Sequence, residues 1–321
     1  MKSMLLMRVL ALGLTVATFA AEAQTWPSKP LRVIVPIAPG SMADIAARVV
    51  FEQVSTQLGQ PIIVENRPGA GQTIGTSVVA KSEPDGYTLL VNSSAHAIAP
   101  SLHLNLNYHP ARDFAAVIPL GILPNVLVVP PAKGWKTVGE LVAAAKATPG
   151  AMNYASAGVG TATHLSAERF RSSAGIEAAY TTQGRVGSSH RGDDRTGRLL
   201  LRARWRRGAS GAGGQAHCAR GEWRPTLFLA AGRADYTGGW LRQCRVSAWL
   251  GVFLPAKTPR GIVEKLHRET LKALQEPKVK NKLATLGIDP MVMTPTEFDA
   301  HVEKEIAVNA ALVNAIGLKP Q

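Results

Sequence analysis

The feature that most constrains this chain is an alternation of short apolar runs with helix-spaced segments near its start. Leu31 to Pro36 (LRVIVP) is a β-rich apolar run of the kind that forms a buried strand. The next stretch sets Ile45, Ala46, Val49, Val50 and Val54 at helical spacing. Ser41 and Asp44 make an S-x-x-D capping pair before them, and Gly59 follows as a stop. Pro61 to Glu65 (PIIVE) is a second strand. NRPGAGQTIG then turns into a helix over TSVVAKSE, and PDGY turns the chain into the strand Thr88 to Asn92. Strand and helix in this order predict a parallel sheet covered on both faces.

The pattern continues with a strand at Asn125 to Val129, a helix at Val138 to Ala147 and a short strand at Asn153 to Ala155. The loop SAGVGTATH and the helix LSAERFRSSAG follow. At Thr181 the periodicity stops. It resumes near Trp249 with a strand and turn (LGVFLPAKTP), then helices over Arg260 to Leu274, Pro277 to Leu286 and Pro295 to Ile316. With 321 residues, 46% of them hydrophobic, the chain has material for two α/β domains.

Met1 to Ala23 reads as an export signal: Lys2 and Arg8, a run from Val9 to Ala20 that is nearly all apolar, and the small-x-small site Ala21-Glu22-Ala23. The run is too short to span a bilayer, so cleavage after Ala23 and a periplasmic protein are expected. The net charge of +14 is unevenly placed. Thr181 to Ser247 holds 13 Arg, no Lys and 4 acidic residues, whereas the remainder nets only +5. Cys218 and Cys244 also fall in this segment, and whether they pair is left open.

Three loops follow strands and open helices: Pro39 to Asp44, Ser93 to His96, and Ser156 to His164. Ligands of open α/β sheets sit beyond the carboxyl ends of strands, where helix N-termini favour anions. Gly40, Gly158 and Gly160 allow close backbone approach, and Ser41, Ser93, Ser94, Thr161 and Thr163 add neutral hydrogen-bonding groups. Bland readings stand beside these. Asp44 is explained by capping alone, and His164 by packing near a helix start. NRPGAG lacks the endings of a phosphate loop or a dinucleotide fingerprint. The histidines show no metal-ligand clustering, and no cofactor is implied. A hydrolase using Ser94 or His164 would lack an orienting motif. A nucleic-acid-binding protein acting through Arg185 to Arg245 would be unusual outside the cytoplasm.

Several separate stretches carry a family resemblance: WPSKPLRVIVPIAPGSMADIAAR, VENRPGAGQTIGTSVVAKSEPDGYTLLV, NYASAGVGTATHLSAERF and LGVFLPAKTPRGIVEKLHRET. Together they resemble the Bug (TctC-type) family of periplasmic substrate-binding proteins of tripartite tricarboxylate transporters. The resemblance runs over Thr25 to Tyr180 and Trp249 to Gln321. It implies a two-lobed α/β periplasmic-binding fold that encloses a small carboxylate, with a membrane permease as partner and no catalysis. The implied cleft residues are Pro39, Gly40, Ser41, Met42 and Asp44; Ser93, Ser94 and Ala95; and Gly158, Val159, Gly160, Thr161 and His164. It further implies residues 24–124 with 249–321 as lobe one, 125–248 as lobe two, and a hinge near Gly121 to Asn125 and Trp249. The chain departs from the family pattern at Ser41 and Gln72, each standing where the family commonly has glycine.

Where the resemblance stops, codon degeneracy allows Gln183 to Trp205 and Glu222 to Thr237 to be re-read one base over. The result is text like the family's own, with Lys-Gly, Gly-Arg-Val-Asp and Leu-Pro-Asp-Val-Pro-Thr. Arg without Lys suits out-of-frame reading of a GC-rich gene better than a basic arm. The expectation is a frame-shifted stretch over Thr181 to about Ser247, a disrupted second lobe in which Leu199 to Leu201 cannot stand in for a sheet, and weakened binding. Resequencing the gene across the codons for Ala178 to Gly251 should find one base gained or lost near each end; an unaltered sequence would remove this account.

Overall fold

The computed structural model describes residues 26–123, 125–130, 133–156, 161–180, 198–202, 226–229 and 248–318. The segment expected to be an export signal, both cysteines, Pro124 and most of Thr181 to Ser247 lie outside these residues.

The first sheet contains β1 (Leu31–Val35), β2 (Ile62–Asn66), β3 (Thr88–Ser93), β4 (Phe114–Leu123) and β10 (Ala248–Pro255), in the order β2, β1, β3, β10, β4. β1 lies parallel to both neighbours, with Val33 opposite Val64 and Leu89. β10 runs antiparallel to β3 and β4. The sheet is therefore mixed, and the expectation of a wholly parallel sheet is corrected: β10 enters from the other lobe rather than through a strand-helix-strand crossover.

Side chains alternate between the two faces of this sheet. Leu31, Val33 and Val35 join Ala46, Val50 and Phe51 of α1 (Met42–Leu58) and Val263 and Leu266, which lie in a helix at Arg260–Gln275. Ile34 and Leu90 face the other way. They join Val79 of α2 (Thr73–Ala80) and Phe298 and Val302, which lie in a helix at Pro295–Ala315. The remaining helices are α3 (Ala95–Leu102), α4 (Val138–Ala147), α5 (Ala162–Ala174) and α7 (Pro277–Thr285); the Arg260 and Pro295 helices are α6 and α8. No helix among the described residues is long and apolar enough to cross a membrane.

The second sheet contains β5 (Val126–Val129), β6 (Met152–Ala155), β7 (Ala178–Tyr180), β8 (Arg198–Arg202) and β9 (Thr226–Leu229), in the order β7, β6, β8, β5, β9. Its core gathers Leu127, Val129, Leu141, Tyr154 and Phe170. β8 lies parallel to β6 and antiparallel to β5. Leu199 to Leu201 thus supply one strand of a sheet whose other strands come from elsewhere in the chain. Their backbone forms a central strand, and pairing on both sides satisfies the main chain.

The chain crosses between the sheets from β4 to β5, and again into β10. Leu123, the last residue of β4, is register partner to Ala248, the first of β10, so the two crossings are adjacent. Beside them Ile98 of α3, Leu165 of α5 and Val313 of α8 form a separate apolar seam, flanked by Leu102, Ala162 and Leu312. Burying each of these three side chains contributes about 2 kcal/mol.

His96, in α3, locks this helix to the first lobe. It is 1% exposed, with Nε2 3.0 Å from the Pro110 carbonyl oxygen and Nδ1 3.5 Å from the Asn92 amide nitrogen. Its ring stacks on Phe253 at 4.5 Å and meets the edge of Phe114 at 4.9 Å. Burial pulls its pKa down to about 4, outweighing the bond to Pro110, so the imidazole is neutral. A folded-state pKa below the unfolded value of 6.5 gives stability that is full above pH 6.5 and lost as pH falls toward 4. The loss should be on the order of 3 kcal/mol. Urea denaturation of the parent should show it between pH 7 and 4, and His96→Gln should flatten that part of the profile; an unchanged profile would contradict the assignment.

Candidate functional site

Parallel strands β1 and β3 of the first sheet deliver two of the three anticipated loops to one edge, and β6 of the second sheet delivers the third. After β1, Ser41 caps α1, its hydroxyl accepting from Asp44 N at 3.3 Å. Asp44 is 3% exposed and both its oxygens are engaged. Oδ2 accepts from Gly40 N at 2.8 Å and Oδ1 from Arg48 Nε at 2.9 Å. Gly40 holds φ +74°, and Pro39 and Gly40 are exposed. Met42 is half-buried against the core. Asp44 thus shapes the loop, while the N–H groups of the first helical turn supply positive potential.

After β3, Ser93 N donates to Asn92 Oδ1 at 2.7 Å, and Ser93 Oγ accepts from Ala95 N at 3.3 Å. The same hydroxyl donates to Gln72 Oε1 at 3.0 Å, tying this loop to the start of α2. Ser94 N donates to Trp249 O at 3.0 Å. Ser94 Oγ is buried and has no hydrogen-bond partner among the described residues. His96 is oriented by Pro110 and Asn92 and does not orient Ser94, so the two make no nucleophile-base pair.

In the second lobe, Thr161 caps α5, accepting from His164 N at 3.2 Å, and its hydroxyl lies 2.9 Å from that of Thr163. His164 is 2% exposed and stacks on Tyr180 at 4.4 Å with 10° between the rings. Burial lowers its pKa more than Glu168, 3.9 Å away, raises it, so this ring too is neutral. Glu168 is held by Tyr154 OH and by Arg171 Nη2 at 2.8 Å. Burial and this carboxylate push the Tyr154 phenol pKa upward. Ser156 Oγ lies 3.2 Å from Tyr180 OH. Gly158, Val159 and Gly160 lie outside the described residues.

Ala162 and Leu165 of α5 pack on the first lobe beside Ile98 and Leu102 of α3. The loops opening α3 and α5 are therefore neighbours across the seam. Sequence reasoning missed Tyr180 as a support for His164 and Ser156, because nothing in the short run AAY marks a contact across a sheet. It noted Gln72 only as a departure from a glycine pattern. Two hollows of about 500 and 470 Å³ lie elsewhere on the first lobe, one lined by Thr73, Ile74, Ser77 and His103, the other by Leu271, Leu274, Leu283 and Met291. Neither is lined by a residue anticipated for the cleft. No group of three or more His, Cys, Asp or Glu suited to a metal ion occurs among the described residues.

Comparison with known proteins agrees with this architecture. The family model described as "Tripartite tricarboxylate transporter family receptor" matches residues 46–189 and 239–318. A UPF0065 protein from the tcbD-tcbE intergenic region of Pseudomonas sp. (strain P51) is 34% identical over 298 residues, spanning 88% of this chain and 85% of its own length. Protein BugT of Bordetella pertussis is 31% identical over 325 residues, 98% of each chain. A solved periplasmic transporter superposes with a TM-score of 0.69 at 28% identity, covering 90% of this chain and 97% of its own. A solved R. palustris protein with adipate gives 0.72 at 25% identity, covering 92% and 100%.

If Asp44 braces the first loop, Asp44→Ala should cost about 1–2 kcal/mol, since it removes the acceptor that fixes Gly40 N and the acidic side chain in the first turn of α1, while the backbone cap on Ser41 stays. Arg48→Ala should cost under about 1 kcal/mol, because the Arg48 side chain is 49% exposed and its pair is screened. Urea denaturation of both variants checks the order; equal costs would contradict the brace.

Proposed function

The chain belongs to the tripartite tricarboxylate transporter receptor family, and from that premise we propose that it captures a small dicarboxylate between its lobes and hands it to the membrane permease of such a transporter. It is a carboxylate-binding receptor of the periplasm and not an enzyme. In this reading residues 24–124 with 249–321 form lobe one, residues 125–248 form lobe two, and cleavage after Ala23 releases the mature protein.

The reading rests on one observation above others: helix starts from two different sheets lie on either side of one apolar seam. The starts of α1 and α3 from one side and of α5 from the other give an anion partial positive charge and N–H donors without a formal cation. Pro39, Gly40, Ser41, Met42, Ser93, Ser94 and Ala95 would line the first side. Ser156, Gly158, Val159, Gly160 and Thr161 would line the second, with Asp44 and His164 holding the loops in shape. The adipate seen in the R. palustris neighbour favours a dicarboxylate as cargo.

A second reading concerns Thr181 to Ser247. The family model matches into both ends of this segment and breaks only between residues 189 and 239, while BugT aligns over 98% of each chain, which leaves little length for an insertion. This favours the frame-shift account, in which lobe two retains strand-forming backbone but loses its original cleft side chains, and affinity falls.

Melting curves test both readings. With ligand at a hundred times its Kd, a receptor gains about 2.7 kcal/mol, roughly 5 °C in melting temperature. Adipate or another diacid should raise the melting temperature while the matching diamide does not. The chain as written should respond less than one carrying the re-read segment. Indifference of both chains to every diacid would end the receptor reading; equal responses would end the second.

A further inference from the structure

Gln72 has a backbone conformation that its side chain makes costly. Its φ is +81°, and among the described residues only Ala70 shares a positive φ without being glycine. A Cβ in the left-handed region is strained, and strain of this kind persists where the surrounding structure over-determines it. Here the surroundings do so. Gln72 N donates to Gly69 O at 2.9 Å, and Gln72 O accepts from Thr76 Oγ1 at 2.7 Å. Thr76 Oγ1 in turn accepts from Asn92 Nδ2 at 3.0 Å, Asn92 Oδ1 accepts from Ser93 N at 2.7 Å, and Ser93 Oγ returns to Gln72 Oε1 at 3.0 Å. The ring of four residues is closed, and Thr76 and Asn92 within it are buried.

The backbone at residue 72 would be served better by glycine, so the reason for glutamine lies in its amide. The amide oxygen accepts from Ser93. The amide nitrogen, with two donors, has no hydrogen-bond partner among the described residues, and Gln72 is only half-buried. That nitrogen sits beside Ser93, at the strand end assigned to the ligand.

We propose that Gln72 is a specificity-determining residue of the cleft, offering its amide N–H groups to the second carboxylate of a dicarboxylate. This rests on the carboxylate-receptor reading above. A residue that merely braces Ser93 would need only the amide oxygen. Gln72→Glu separates the two roles, because it keeps an acceptor for Ser93 and replaces the donors with a negative oxygen. Gln72→Gly relieves the backbone and removes the amide.

The test is a chemical-shift titration of the full chain with adipate and with hexanoate, a monoacid of equal length, which reads millimolar affinities. Melting temperatures are measured in parallel. The parent should prefer adipate. Gln72→Glu should weaken adipate binding about tenfold or more while leaving hexanoate closer to parent. Gln72→Gly should lose the preference and yet melt about 2 °C higher or more. A parent without preference, or variants that keep it in full, would overturn the assignment alone. The same titration is run on the chain carrying the re-read segment, and if neither it nor the parent binds adipate or any other diacid, the receptor reading falls and this assignment with it.

Discussion

Strand β10 holds the molecule together. It lies between β3 and β4, and every residue from Ala248 to Pro255 is buried. It is also where the chain returns from the second sheet, so the first sheet is incomplete until the second lobe has been traversed. Trp249 within it accepts from Ser94 N at the head of α3 and donates through Nε1 to Glu305 of α8 at 3.1 Å. One strand thus fixes the sheet, the C-terminal helix and a loop assigned to the ligand. A side chain at Gly251 would collide with the Phe298 ring, which is why α8 can lie so close.

The electrostatics of the cleft follow from what is neutralised around it. Asp44 and Glu168 are matched by Arg48 and Arg171, and burial keeps His96 and His164 uncharged. Among the described residues, the carboxylates of Asp44 and Glu168 at these loops are engaged in shaping them. An anionic ligand would therefore meet oriented N–H groups and hydroxyls, whose strength depends on exclusion of water rather than on a fixed cation. This suits a receptor that must release its cargo.

Much of the fold could be read from residue order because local rules were enough. Ser41, Asp44 and Gly59 mark the ends of α1 through capping and a left-handed stop, as the structure bears out. Thr137 with Glu140 and Thr294 with Glu297 form capping boxes of the same local kind. β4 escaped because it obeys no simple period. It is buried along nearly its whole length, and Pro119 and Gly121 break its pattern. Pro119 sits where the register with β10 shifts, a position that needs no regular ladder bond, and Gly121 lets the Asp289 backbone pair beside it with Ile122. Leu199 to Leu201 could not be placed for a related reason: three consecutive apolar residues carry no record of which strands they pair with.

The sequence by itself determined the α/β class, the ends of α1, much of the element order and the residue types at three strand-to-helix loops. Each of these depends on neighbours within a few positions. The tertiary structure alone decided that β10 is antiparallel, that Leu123 and Ala248 place both crossings side by side, and that α3 and α5 meet at Ile98 and Leu165. It also decided which polar groups are already engaged. Asp44 on Gly40, His164 on Tyr180 and Gln72 on Ser93 join residues by backbone direction and by packing across sheets. Chain spacing carries no record of contacts made by a fold returning on itself.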